Sequence, residues 1–213
     1  MLFDVASLPP NVGYKLLVST VTPRPIAWVV SEDLHGVLNA APFSFFNALG
    51  SDPPVVAIGI GRRSSGSAKD TRSNIAATGE FVVNLVSEAT AAAMNITAID
   101  FDPHIDELAE AGLTTSPSAR VKPPRIAESP VALECRLLQI VDVPPATAIV
   151  LGQVVAIHVR DDAVLDQATG LIDTPSLKLI GRMHGAGWYA RTSDLFEMPR
   201  IKVDDWNKAR AGR

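Results

Sequence analysis

Two long β-branched runs dominate the second half of the chain and limit what it can become. Val131 to Val141 (VALECRLLQIV) alternates in places, and Ala148 to Val159 (AIVLGQVVAIHV) is almost unbroken in apolar residues. Pro144-Pro145 between them marks a connection, so the pair reads as long antiparallel neighbours. Upstream, Ile26 to Ser31 (IAWVVS) is β-branched and aromatic and reads as a strand. It forms a hairpin with Val37 to Ala40 across the turn Asp33 to Gly36. Val55 to Ile60 reads as a buried strand and Glu80 to Val86 as another, with shorter pieces at Leu179-Ile180 and Trp188-Tyr189. Ala41 to Pro54 (APFSFFNALGSDPP) is apolar but full of breakers and reads as a loop that packs. Helices are expected over residues 9–20, 69–78 and 88–96, and over 106–111 with Gly112 as the stop. Strands outnumber helices and there is no regular βαβ alternation. That pattern disfavours a doubly wound sheet or a (β/α)8 barrel and favours a mainly β barrel with short helical decorations.

Of the 213 residues, 47% are hydrophobic and 20% charged, enough to bury a core and too apolar for disorder. The length fits one domain over residues 1–213, with a core at about 20–190 and a polar tail at about 199–213 that wanders or docks on a partner. A net charge of −4 argues against nucleic acid as a partner. No apolar run reaches the roughly 18 residues that span a bilayer, so no membrane association is expected. The start, MLFDVASLPPN, has neither a basic n-region nor a long apolar h-region, and the expectation is a cytoplasmic protein. The lone cysteine, Cys135, excludes an intramolecular disulfide framework and reads as a small buried hydrophobe.

The stretch Gly61 to Asn74 (GRRSSGSAKDTRSN) carries most of the chemical information. Arg62, Arg63, Lys69 and Arg72 face one acid, Asp70, amid the hydroxyls of Ser64, Ser65, Ser67, Thr71 and Ser73. Ser67 and Asp70 have capping-box spacing, which predicts a helix start near Ser67. Cations, hydroxyls and a helix N-terminus together make a phosphate dock; a solvated basic loop beside a capped helix is the alternative. The stretch is not a P-loop, and no GxGxxG opens a helix. A second stretch, Asn39-Ala40-Ala41-Pro42, places small side chains where a planar ligand can approach backbone, next to a Phe43-Phe45-Phe46 cluster that reads as core. Among the histidines, His35, His104 and His158 sit in a turn, a loop and a strand. Only His184, in Gly181-Arg182-Met183-His184-Gly185, lies in a glycine-flanked segment beside an arginine and aromatics. No nucleophile elbow or metal-spaced cluster is present in the sequence.

Six segments in order resemble the flavin reductase-like, FMN-binding split-barrel family. They are TPRPIAWV (22–29), NAAPFSFF (39–46), DPPVV (52–56), KDTRSNI (69–75), EFVVN (80–84) and GRMHG (181–185). The resemblance implies a six-stranded split β-barrel that forms a homodimer, with FMN near the subunit interface. It further implies an NAD(P)H-dependent flavin reductase that passes a hydride from nicotinamide to flavin and serves a monooxygenase or another electron acceptor. The alternatives in the same fold are a non-enzymatic electron carrier like a flavoredoxin and a protein that binds another cofactor. By resemblance, Lys69, Asp70 and Thr71 fall on the phosphate segment, with Arg62 in the same basic stretch. Asn39, Ala40, Ala41 and Ser44 fall where backbone lines the isoalloxazine. Arg24 borders the flavin, and His184 lies near the flavin or the nicotinamide, where it either positions the nicotinamide or caps a turn. Hydride transfer to a flavin needs no protein nucleophile and no metal, which agrees with what the sequence lacks.

Overall fold

The structure is a computed structural model that describes residues 1–63, 65–102 and 105–211; Ser64 and His104 of the sequence reading lie outside the described residues. Its main sheet has seven strands: β1 (Ala27–Glu32), β2 (Leu38–Phe43), β3 (Phe46–Ser51), β4 (Pro54–Ile60), β5 (Glu80–Leu85), β8 (Val131–Val143) and β9 (Thr147–Val159). Three two-stranded ribbons complete the β structure: β6 (Thr115–Ser116) with β7 (Arg125–Ile126), β10 (Val164–Asp166) with β11 (Leu171–Ile172), and β12 (Ile180–Arg182) with β13 (Tyr189–Arg191). The helices are short: α1 (Pro10–Thr20), α2 (Asp70–Thr78), α3 (Ala91–Ile96), α4 (Glu107–Glu110) and α5 (Val203–Ala211). None is long and apolar enough to cross a membrane.

The sheet order is β2-β1-β5-β8-β9-β4-β3, antiparallel throughout. Its two edge strands, β2 and β3, are joined by only Ser44 and Phe45. Two residues cannot span an open sheet of seven strands spaced about 4.8 Å apart, so the sheet curls until its edges meet. The Gly59 N–H donates to the Phe45 carbonyl at 2.7 Å beside that junction. Counted as one bent strand, β2 and β3 make this the six-stranded split barrel of the sequence reading. The expected packed loop over 41–54 is therefore corrected: most of it is strand. Pro42, opposite Trp28, is tolerated because β2 is an edge strand and needs no amide donor there.

Curvature comes from the long hairpin. Its ladder runs from Val131↔Val159 to Val143↔Thr147, as the two sequence runs predict, and its register slips at Glu134/Cys135 and at Leu137/Gln139. Each slip adds twist and bends the strand inward. Gly152 sits where Phe81 crosses the barrel: a Cβ there would lie 2.4 Å from the Phe81 ring. Alternate β1 residues supply two cores. Ala27 and Val29 pack inside with Ile58, Phe81, Val83 and Val150, while Trp28 and Val30 pack outside against Met94, Leu108 and Ile126. Cys135 belongs to the inner core, and burial pushes its thiol up to about 12, so it is inert.

The outer core positions the segment that matters for function. Trp28 is fully buried, and its indole Nε1–H donates to Thr97 Oγ1 at 2.9 Å. Thr97 in turn donates to the Met94 carbonyl at the end of α3. The start of segment 97–101 is thereby tied to the barrel wall. The tail departs from the reading at its end: Val203–Ala211 forms α5, with acids in the first turn and bases in the last, as the helix dipole favours.

Candidate functional site

β2, the loop before α2, segment 97–101 and α4 line a cleft that opens to solvent. Asn39, Ala41, Arg63, Lys69, Asp70, Thr71, Asp100 and Glu107 are among the residues lining it. Five of the expected contacts thus converge from two separate stretches of sequence: Asn39, Ala41, Lys69, Asp70 and Thr71. The convergence is fixed by a buried hydrogen bond from the Asn39 side-chain amide to Thr71 Oγ1, at 2.9 Å.

Arg62 and Arg63 are tied to residues 67–68. Arg62 pairs with Ala68 as an isolated bridge, and the Arg63 N–H donates to the Ser67 carbonyl at 2.9 Å. The capping box predicted at Ser67 does not form. The helix begins at Asp70 with Lys69 as its cap residue and no side-chain cap hydrogen bond. The Asp70 carboxylate pairs with Arg63, and Ser67 Oγ pairs with Ser65 Oγ at 2.8 Å, so neither is available for capping. The α2 N-terminus faces the cleft through Asp70 and Thr71.

The cleft's cations already have partners. Arg63 bonds Asp70, lies 3.8 Å from Asp100, and donates to the Phe101 carbonyl at 3.1 Å; Lys69 lies 3.8 Å from the same Asp100 oxygen. Glu107 is the buried acid, 7% exposed, with Oε2 accepting the Ala40 N–H at 3.0 Å. Burial pushes its carboxyl above the usual range, and Asp70 and Asp106 push the same way, against the Ala40 amide. Arg63, Asp100 and Glu107 were absent from the expected site. Arg63 was legible as part of the basic stretch. Asp100 and Glu107 gave no local signal, since an acid in a loop or a short helix normally faces water.

A second, more open cleft adjoins the first through Pro42 and Ala98, which line both. Ser44, Met94, Arg182, Ala186 and Tyr189 also line it. The Arg182 guanidinium lies 4.7 Å above the Tyr189 ring and donates to the carbonyls of Gly185 and Ala186, which holds the β12–β13 turn in shape. His184 projects from that turn, exposed and stacked on Trp188 at 6.2 Å.

Three expected contacts are placed elsewhere. Arg24 is buried and lines neither cleft; its guanidinium donates to the carbonyls of Val18, Val21 and Met183 at 2.6, 2.9 and 3.0 Å. Ala40 is buried with its amide committed to Glu107. Arg62 donates to the Gly66 carbonyl at 3.0 Å within its own loop.

Comparison with known proteins gives the following. A family model described as flavin reductase like domain matches residues 19–174. An uncharacterised protein of Deinococcus radiodurans is 45% identical over 210 residues, covering 97% of this chain and 92% of the relative. The Bacillus subtilis uncharacterised protein YwrF is 38% identical over 204 residues, covering 93% and 98%. Among solved structures, component B of nitrilotriacetate monooxygenase from Bacillus cereus superposes with a TM-score of 0.87 at 33% identity, over 93% of this chain and 98% of that one. The 2-nitrobenzoate 2-nitroreductase NbaA of Pseudomonas fluorescens gives 0.87 at 33% identity, over 95% and 98%. Flavoredoxin of Desulfovibrio vulgaris shares the fold at 21% identity and a TM-score of 0.73, over 84% and 91%.

Proposed function

The chain belongs to the flavin reductase-like family, and from that premise we propose that it is an FMN-binding, NAD(P)H-dependent flavin oxidoreductase. The observation that carries this reading is the single cleft that joins Lys69, Arg63 and Thr71 to the small-residue stretch Asn39–Pro42. The donor set suits a flavin phosphate: an ammonium, a guanidinium, a hydroxyl and a helix N-terminus converge on it. Flat, small side chains at Ala41 and Pro42 lead from that end toward the second cleft, which suits a planar ring. FMN held there by Lys69, Arg63 and Thr71 would supply the redox chemistry, that of a hydride acceptor.

The chain's own residues bind and orient. Lys69 and Thr71 hold the phosphate, and the Asn39 amide fixes the Thr71 hydroxyl. Ala41 and Ser44 border the ring. The adjoining cleft, with Tyr189 and Arg182, takes the nicotinamide donor, and His184 positions that donor from the rim. Arg24 acts one step back: by gripping the Met183 carbonyl and the last turn of α1, it sets where the β12–β13 turn stands. The 33% identity to a monooxygenase component supports a monooxygenase as electron acceptor. Exposed Trp188, Leu195, Phe196, Met198 and Trp206 support a homodimer, since so many large apolar side chains are unusual on a lone monomer.

The test is direct. The purified protein is titrated with FMN, and NADH and NADPH oxidation is followed with FMN present. Micromolar or tighter FMN binding with FMN-dependent nicotinamide oxidation is expected; no FMN binding overturns the reading. FMN binding without oxidation of either nicotinamide reduces it to a flavin carrier.

A further inference from the structure

The cleft holds two cations, Arg63 and Lys69, and three acids, Asp70, Asp100 and Glu107. With all five ionised its sum is −1, an unfavourable place for a phosphate ester that itself carries about −1.5 to −2 at neutral pH. Some of that negative charge must be neutralised or moved when the ester arrives. Resting on the reading of this cleft as the FMN phosphate site, we propose that FMN binding takes up one proton from water, and that Glu107 is the group that holds it.

The three acids differ in what they are able to do. Asp100 has a side chain 47% exposed and touches its cations only at 3.8 Å, so it swings into water as the phosphate replaces it beside Arg63 and Lys69. Asp70 is bonded to Arg63 and keeps that partner. Glu107 has neither outlet. It is 7% exposed, lies in the first turn of α4, and is fixed to β2 by the Ala40 amide. The charges that act on it are Asp70 from α2 and Asp106 from the start of its own helix, both acidic, and Arg63, Lys69 and Asp100 line the same cleft. The arriving phosphate brings its own negative charge into the cleft that Glu107 lines, so the environment of Glu107 becomes more negative on binding. A buried carboxylate in that position is neutralised by protonation. Oε2 keeps the Ala40 amide while the other oxygen takes the proton. The direction in which burial already pushes this carboxyl agrees.

The full-length protein is titrated with FMN by calorimetry at pH 7.5, in buffers of low and high ionisation enthalpy. At that pH the FMN phosphate is almost wholly the dianion, so its own titration adds little. Uptake of close to one proton is expected for the wild type. The Glu107→Gln variant keeps an acceptor for the Ala40 amide and is expected to bind FMN with uptake near zero and affinity equal to or above wild type. Riboflavin, which lacks the phosphate, is expected to bind wild type without proton uptake. Zero uptake by the wild type, or the same uptake by wild type and variant, overturns the assignment; the wild-type count stands even if the variant misfolds. Equal uptake with riboflavin also overturns it. Equal affinity for FMN and riboflavin removes the phosphate site itself and overturns the functional reading along with this one.

Discussion

Arg24 separates a residue that touches flavin from one that builds the frame around it. Its guanidinium makes three hydrogen bonds to carbonyls: Val18 at 2.6 Å, fully buried, and Val21 and Met183 at 2.9 and 3.0 Å, half-buried. Arg24→Met keeps the length and apolar stem and removes all three. A hydrogen bond from a charged donor contributes about 1.5–3 kcal/mol, and water re-forms part of what is lost at the half-buried carbonyls. The buried Val18 carbonyl is left without a donor. The expected loss is about 3–4 kcal/mol, which at roughly 2–4 °C per kcal/mol for a chain of this size lowers Tm by roughly 6–16 °C. Arg24→Lys is expected to fall between, because an ammonium lacks the planar fork that reaches the α1 carbonyls and Met183 together. Thermal and urea denaturation, alongside FMN titration of the folded fraction, is the assay. A variant with wild-type stability but FMN affinity reduced tenfold or more refutes the framework role and makes Arg24 a direct flavin contact.

Four further outcomes are expected. Lys69→Ala weakens FMN binding by roughly 10- to 150-fold, from a charge-assisted contact of about 1.5–3 kcal/mol, read by flavin fluorescence. His184→Gln leaves FMN affinity unchanged and lowers kcat/KM for the nicotinamide about tenfold, or about 1.4 kcal/mol; an unchanged kcat/KM and pH profile assign it to the turn alone. Light scattering at micromolar protein gives the mass of a dimer, and truncation after Arg191 lowers it toward a monomer. Without ligand, Glu107→Gln is more stable than wild type at pH 7.5. The folded carboxyl is raised above its ordinary 4.5, so ionising it costs stability as pH rises past that value, and the advantage disappears below about pH 4.5.

The strands that were legible in the sequence are those whose residues are buried on one or both faces. Ile26 to Ser31 and the two long runs carry β-branched residues because they pack, and the structure pairs them as read. β3 was missed for the opposite reason. Most of Phe46–Ser51 is exposed, and an edge strand tolerates the prolines and glycine around it that signal a loop. The site divides in the same way. Lys69, Asp70 and Thr71 are adjacent in sequence, and Asn39 and Ala41 lie in a stretch of unusual composition. Glu107 and Asp100 enter the cleft only because Trp28 holds Thr97 and the outer core seats α4 through Leu108. That relation is tertiary and leaves no local mark. Arg24 shows the limit from the other side: its motif was visible, but which atoms it grips depends on α1 and on Met183, 159 residues away.

The two-residue junction between the barrel's edges also sets an order of events during synthesis. β1 to β5 leave the ribosome first, yet β5 needs β8 and β4 needs β9 to complete their ladders. Until residues 131–159 emerge, the first 85 residues hold a three-stranded sheet, β2-β1-β5, and a separate hairpin, β3-β4, each with an open border and no means of closing. The β8–β9 hairpin forms from contacts close in sequence and then bridges the two, so barrel closure is a late, long-range step. Nascent chains halted short of residue 160 therefore expose unpaired edges, and they are the species that would need a chaperone.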